Sequence, residues 1–357
     1  MEAQINILDF KNQRFYIGLD VHKKQWTVTI RSNKLELKTM SIDPSAEQLK
    51  KYMQKNYPGG QYHSVYEAGF CGYSAHRELT NHGFRNIIAA PTEIPTSNKE
   101  KNKKRDPVDS RKLSRELENG SMKGIYVPNE LQQELRSIVR QRYQIIKKQT
   151  RLKNQIKGYL NFYGHNLPEN YQLKHWSKNF IEHLGGLNFN YTIGKQQLEI
   201  YLEELRELRM LLVRIIKEIK NFLNENNLME EVNLLCSVPG IGFTAAITLL
   251  TEIITPNRFS DLDHLASFVG LIPCITSSSD KEKKLGINKQ QNKFLRKLLI
   301  EASWVAVRKD PALIYTYNSY INRMSKQEAI IRIAKKLLSR INYVWKNKKT
   351  YVNSVAK

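Results

Sequence analysis

Phe15-Tyr16-Ile17-Gly18-Leu19-Asp20, running on into Val21-His22-Lys23-Lys24, decides how the first third of the chain is read. It is a short apolar run that ends in a carboxylate, the pattern of a buried strand with a polar exit. Gln25 to Ile30 alternates and is β-branched, which predicts a second strand, and Leu35 to Met40 predicts a weaker third, so that the three form a meander. Pro44 to Tyr57 predicts a helix with Leu49, Tyr52 and Met53 on one face. Tyr62 to Tyr66 is a fourth strand, running into Glu67. A helix from Tyr73 to Asn81 is stopped by Gly83, and Asn86 to Ala90 is a fifth, buried-type strand.

Strand-strand-strand-helix-strand-helix-strand is the order of an α/β RNase H-like fold. After Pro91 the character changes. Thr92 to Arg105 is polar and ends in the basic run Lys99 to Arg105, which predicts a basic loop before a helix from Asp109 to Leu117. From Glu130 to Tyr163, Leu135, Ile138, Ile145, Leu152, Ile156 and Tyr159 recur near heptad spacing, interleaved with Arg and Lys. A second long helix, about Gln196 to Asn224, repeats Leu205, Leu208, Leu212, Ile215, Ile219 and Phe222. The two predict an antiparallel coiled coil, whose apolar stripe exceeds what one hairpin needs to bury and so predicts assembly of copies. Asn166 to Gly194 shows no period. The remainder reads as mainly α: an apolar helix through Ile253, and helices over Phe259 to Val269, Asn292 to Arg308 and Lys326 to Trp345. Thr276 to Asn288 is polar and irregular. The expected domains are 1–125, 126–229 and 230–357.

The charge narrows the function. With 57 Lys plus Arg against 34 Asp plus Glu in 357 residues, the formal net charge is +23, which favours a polyanionic partner such as nucleic acid. Three well-separated cysteines exclude a disulfide framework and a zinc ribbon, and suit a reducing cytoplasm. No signal peptide or membrane-length apolar run is seen, so a soluble bacterial protein of the cytoplasm, associated with the nucleoid, is expected.

Asp20 ends the first strand, Glu67 ends the fourth, and Asp106 and Asp109 flank the start of a helix. Phosphoryl transfer needs hard oxygen ligands that hold Mg²⁺ and leave room for phosphate and water. Each residue also has a plainer use: Asp20 as a turn residue, Asp106 as a cap before Pro107, Asp109 as dipole compensation in a first helical turn.

Gly18-Leu19-Asp20-Val21-His22-Lys23-Lys24, Tyr66-Glu67-Ala68-Gly69 and Lys104-Arg105-Asp106-Pro107-Val108-Asp109-Ser110-Arg111-Lys112-Leu113 together resemble the DEDD motifs of the IS110 family of insertion-sequence transposases. Ser110 stands where that family often has Ala. The resemblance implies a RuvC-like N-terminal domain in which Asp20, Glu67, Asp106 and Asp109 are the catalytic, metal-binding tetrad for Mg²⁺ or Mn²⁺.

The second half carries two further motifs. Val238-Pro239-Gly240-Ile241-Gly242 before an apolar helix resembles a helix-hairpin-helix element, whose glycines let backbone N–H groups approach a phosphate. An ordinary Pro-Gly turn between core helices fits the same residues. Gly270-Leu271-Ile272-Pro273 leads to Ser277-Ser278-Ser279, Lys281, Lys289, Asn292 and Leu295-Arg296. This is similar to the serine-bearing second domain of the same family. By position Ser278 matches the family's nucleophile, with Ser277 and Ser279 as alternatives, because Ser279 and Gln291 stand where the family has Gly. Lys281, Lys289 and Arg296 bring positive charge to a developing phosphorane. Lys103, Lys104, Arg105, Gly240 and Gly242 join them as expected nucleic-acid contacts.

The resemblance implies excision and insertion of the chain's own element through a 5′-phosphoserine intermediate. The implied partners are donor and target DNA, an element-encoded bridge RNA that pairs with both, and further copies of the chain as a dimer or tetramer. The rival reading is a RuvC-like metal nuclease that cuts DNA junctions with water. A third is a nucleic-acid-binding protein without activity.

Overall fold

The computed structural model describes residues 9–95, 106–167, 175–278, 281–287 and 292–353. The chain divides into two compact units, Met1–Val127 and Pro128–Lys357. No helix among the described residues is long and apolar enough to cross a membrane.

The first unit is built on β1 (Arg14–Val21), β2 (Trp26–Ser32), β3 (Leu35–Ile42), β4 (Gln61–Glu67) and β5 (Arg85–Ala89). Their order in the sheet is β3-β2-β1-β4-β5. β1 pairs antiparallel with β2, and β2 with β3, whereas β1, β4 and β5 run parallel. The parallel half requires crossovers, supplied by α1 (Ala46–Asn56) and α2 (Ser74–Asn81). The pleat sorts the residues: Phe15, Ile17 and Leu19 of β1 are fully buried against Leu49 and Met53 of α1 and Leu79 of α2. Residues of the opposite parity face α3 (Asp106–Glu118), where Leu113 packs with Val65 and Ala89.

Gly18 sets how closely α3 can lie. A Cβ at that position would fall 2.0 Å from the Ser110 carbonyl oxygen and 2.4 Å from the Ser114 nitrogen. Helix backbone therefore rests directly on strand backbone. Ser110 is fully buried there, and its hydroxyl meets that of Thr29 at 2.9 Å, so the departure from Ala is matched by a polar partner on β2.

The second unit opens on α4 (Glu130–Phe162), which starts in a capping box between Asn129 and Gln132. α5 (Lys178–Gly185) and α6 (Thr192–Glu225) follow. Ile156 and Leu160 near the end of α4 share a core with Leu198 and Leu202 near the start of α6. Leu135 and Val139 share another with Ile219 and Leu223, so the two helices are antiparallel. The apolar repeat of α6 is satisfied within the chain. Leu205, Leu208 and Ile219 are buried, and Leu212, Ile215 and Phe222 pack against the same cores. Met210, Leu211 and Val213 are the exposed apolar residues of that stretch.

The rest is α7 (Met229–Cys236), α8 (Phe243–Ile253), a short 3₁₀ turn, α9 (Leu262–Val269), α10 (Lys293–Lys309), α11 (Pro311–Ile321) and α12 (Lys326–Asn347). One expectation changes here. The stretch read as irregular is a hairpin of β6 (Pro273–Ser278) and β7 (Lys281–Ile287), paired antiparallel. The helix expected over Asn292 to Arg308 is observed as Lys293–Lys309. Buried Asp310 accepts from the Ala312 and Leu313 amides and Pro311 opens α11, a cap-and-proline start for a new helix.

Candidate active site

Two of the four expected acids share one edge of the sheet. β1 and β4 are parallel neighbours in a register that pairs Leu19 with Tyr66, so Asp20 and Glu67 follow side by side at the carboxyl ends of the two strands. They have the same parity as Gly18 and Val65, so they belong to the face that α3 covers. Asp20 is about one-fifth exposed, and its Oδ2 lies 3.3 Å from Nε2 of His22. Asp109 is half-buried on the first turns of α3, one turn before Leu113, and Asp106 begins that helix, three residues earlier. Residues three apart share a helix face. Among the described residues no three His, Cys, Asp or Glu side chains are close enough to hold one ion, and the Asp106 side chain lies outside that set. Lys103, Lys104 and Arg105 also lie outside the described residues.

The turn after Glu67 is held by a residue that sequence reading passed over. Tyr66 is fully buried, and its hydroxyl donates to the Gly72 carbonyl at 2.9 Å and accepts from the His76 amide at 3.2 Å. Burial pushes its phenol far above the ordinary range, so it stays protonated and keeps its donor. The one signal in the sequence was its place beside Glu67. A second buried chain runs behind it, from the Ser64 hydroxyl to Asn86 and from the Asn86 amide to Nδ1 of His76, each at 2.8 Å. Burial lowers the His76 pKa, consistent with a neutral ring accepting at Nδ1.

In the second unit the two glycines of the Pro-Gly turn do different things. Gly240 has φ +86°, and a Cβ there would lie 2.3 Å from the Ala302 carbonyl oxygen, so it is needed for the approach of the turn to α10. Gly242 has nothing within 4 Å of a built Cβ and caps α8 without a side-chain hydrogen bond. Beside the turn is a cavity of about 670 Å³, lined by Pro239, Gly240, Gly242, Val305, Lys309 and Tyr351.

The base of the serine hairpin is tied to the helices on either side of it. Gly270 ends α9 in the left-handed region at φ +85°, and the Leu271 amide donates back to Ala266 at 2.8 Å. On the return side the Asn292 amide donates to the Phe268 carbonyl at 3.1 Å. The Asn292 side chain caps α10, accepting from Phe294 and Leu295, and donates at 2.9 Å to Oε2 of Glu252. Glu252 is 2% exposed and takes a bidentate pair from Arg140 of α4, at 2.7 and 2.9 Å. Burial works to raise its pKa, but the Arg140 contacts, Arg136 and Asn292 outweigh it and hold the carboxyl below its usual range. Sequence reading missed Glu252, which sits in an apolar helix far from its partners.

At the tip, the backbone register pairs Ser278 with Lys281 and Ser277 with Glu282. The side chains of Ser277, Ser278 and Lys281 are outside the described set, as are residues Ser279 and Lys289 entirely. Arg296 is half-buried on α10, and burial lowers its pKa.

Comparison with known proteins bears on this arrangement. A family model described as the IS116/IS110/IS902 family of transposases matches residues 232–318, and one for the DEDD transposases of the IS110 type matches residues 17–165. The chain belongs to the IS110 family of transposases. The first match spans the Pro-Gly turn and the serine hairpin; the second spans all four acids. A DEDD domain implies an RNase H-like fold, which agrees with the mixed five-stranded sheet, and it implies dependence on a divalent metal. The chain is 27% identical over 306 residues to the transposase for insertion sequence element IS1533 of Leptospira borgpetersenii, covering 82% of this chain and 85% of that protein. It is 27% identical over 241 residues to the putative transposase y4qE of Sinorhizobium fredii, covering 67% of this chain and 57% of that one. A second putative transposase of that organism, y4rJ, is 24% identical over 376 residues, covering 95% and 92%.

Proposed function

We propose that this IS110-family chain excises and inserts its own mobile element, using a carboxylate-held metal and a serine nucleophile. The observation that carries the reading is the pairing of Asp20 with Glu67 at the ends of adjacent parallel strands, on the face against which α3 brings Asp109. The donor set is carboxylate oxygen throughout, which fits a hard cation such as Mg²⁺ or Mn²⁺. Asp20, Glu67, Asp106 and Asp109 would hold it, and when bound it would withdraw charge from phosphate oxygens.

In this reading the Ser278 oxygen attacks phosphorus, the bond to the 3′-oxygen breaks, and one proton passes overall from serine to the departing oxygen. A 5′-phosphoserine ester results, and attack by another strand's 3′-hydroxyl reverses the step. Lys281, Lys289 and Arg296 stabilise the phosphorane, while Lys103, Lys104, Arg105, Gly240 and Gly242 hold DNA backbone without reading its sequence. Sequence choice then rests on a bridge RNA that pairs with donor and target. Copies assemble through the α4–α6 pair acting as a coiled coil, by way of its exposed residues Met210, Leu211 and Val213.

The test is strand cleavage on the element's end sequence, with the guide RNA and Mg²⁺. Asp20→Asn is expected to abolish cleavage while the thermal midpoint stays within a few degrees. Cleavage at the wild-type rate in that variant, or by wild type in EDTA, overturns the metal assignment.

A further inference from the structure

Between α4 and α10 runs a groove lined mostly by residues outside the motifs above, with Arg296, Gly240 and Gly242 as the exceptions. Three recesses of about 640, 430 and 380 Å³ share Lys297 in their linings. The first is walled by Tyr143, Lys147, Thr150 and Arg151 of α4, the second by Arg142, Tyr143 and Phe294, and the third by Lys293 and Arg296 of α10. The groove ends at the Gly240–Gly242 turn. All of it lies within the second unit.

Its chemistry is one-sided. Six Arg or Lys side chains line it, and the only carboxylate among its lining residues is Glu301, which faces Lys297 at 3.8 Å. Arg142 is half-buried, and its Nε is shielded from solvent and meets no hydrogen-bond acceptor among the described residues. Such a donor gains from an anion that enters the groove. Burial lowers the pKa of both Arg142 and Arg296, which marks cations held in partly desolvated positions without a compensating acid.

Within the lining, Tyr143 and Phe294 sit with ring centroids 4.3 Å apart and planes tilted by 38°. Both rings are half-buried, and Lys147 Nζ lies 4.6 Å from the Tyr143 ring centre. Cations along a groove with aromatic rings in its lining are the pattern of single-strand binding, in which phosphates follow the charges and bases stack on rings. A duplex keeps its bases stacked on each other and has no use for such a platform.

We propose that this groove binds a single strand of DNA, the strand released when a duplex opens for exchange, with Tyr143 and Phe294 stacking its bases. The proposal rests on the recombinase reading for its occupant. Its test is a binding measurement in EDTA, independent of whether the carboxylates or Ser278 act.

The full-length protein is titrated against fluorescently labelled oligothymidine, the same strand paired with oligoadenosine DNA, and oligouridine RNA. Replacing Lys147, Arg151 and Lys297 together with Ala is expected to flatten the slope of log Kd against log salt for oligothymidine by about 2, from three lost phosphate contacts. Replacing the exposed Lys326, Lys346 and Lys349 of α12 and beyond is expected to leave that slope within about half of one contact. Tyr143→Ala is expected to weaken oligothymidine at least about fivefold and the duplex less than twofold, and Tyr143→Phe to restore wild-type affinity. Equal slopes in the two triple variants overturn the groove. An equal loss of duplex and single strand in Tyr143→Ala overturns stacking. A loss confined to oligouridine assigns the groove to RNA and overturns the DNA proposal.

Discussion

Gly18→Ala adds one methyl group at the closest approach in the first unit. The new Cβ would stand 2.0 Å from the Ser110 carbonyl oxygen, where ordinary contact begins near 3.4 Å, so α3 must retreat by about 1.4 Å. The obstacle is backbone on both sides, which no rotamer change relieves. Gly18 lies in the middle of a central strand and is not among the glycines with positive φ, so the cost is steric and not conformational. Overpacking of this kind costs about 1–3 kcal/mol and occasionally more. The retreat loosens Leu113 against Val65 and Ala89, breaks the buried Ser110–Thr29 contact, and carries Asp109 away from the strand ends that bear Asp20 and Glu67. A misplacement of about 1 Å at a reacting centre can lower a rate a hundredfold. Urea unfolding followed by circular dichroism, with cleavage assayed at the same temperature, should therefore show a lower midpoint and a cleavage loss larger than the unfolded fraction explains. Gly158→Ala is the control. It lies exposed in α4 with nothing within 4 Å, and should gain about 0.5–1 kcal/mol. Wild-type stability and cleavage in Gly18→Ala would refute the claim that α3 must lie on the strand to complete the site.

Arg140→Ala should cost about 1–3 kcal/mol at pH 7, less than a fully buried pair because Arg140 is 56% exposed while Glu252 is 2% exposed. Because the folded pKa of Glu252 lies below its ordinary value, its pairing stabilises the fold above the unfolded pKa and is lost as pH falls through the folded one. Glu252→Gln should therefore be less stable than wild type at pH 7 and lose less on acidification between about pH 5 and 3, as read by urea midpoints; parallel acid profiles would contradict this. Ile219→Asp should unfold the second unit, not merely dissociate copies, because it buries a lone charge in a fully closed core; a folded monomer by light scattering and circular dichroism would contradict that. Tyr66→Phe removes two hydrogen bonds at the turn after Glu67 and should cost about 1–2 kcal/mol, with faster amide exchange at Gly72 to His76; unchanged exchange there would show that the hydroxyl holds nothing.

Local patterns made much of the first unit legible. Alternation in Phe15-Tyr16-Ile17 and Trp26-Thr27-Val28 marks strands because the pleat puts alternate residues in one core, and Leu49 and Met53 mark α1 by their four-residue spacing. The neighbouring positions of Asp20 and Glu67 followed from strand order alone, since both end strands of the parallel half. What stayed hidden depends on contacts distant in sequence. The partners of Glu252 come from Arg140 and Asn292, and nothing local marks a carboxylate that two other helices neutralise. The β6–β7 hairpin was obscured because its serines and lysines read as loop composition, while its ends are tied by Leu271 and Asn292 to the same helix, α9. The partners of the α6 repeat were not legible, because periodicity shows that a stripe is buried but not against what, and here they are spread over two cores.

The central claim is that a serine of the hairpin forms a covalent bond to DNA in a reaction that needs the carboxylates. End-labelled DNA, the guide RNA and Mg²⁺ are incubated with protein and resolved on a denaturing gel. Wild type should give a protein–DNA adduct that Ser278→Ala and Asp20→Asn both lack, with each variant folded. An adduct that persists in Ser278→Ala but is lost in Ser277→Ala or Ser279→Ala would move the nucleophile by one residue. Cleavage that continues with no adduct in any serine variant would contradict the account and make water the nucleophile.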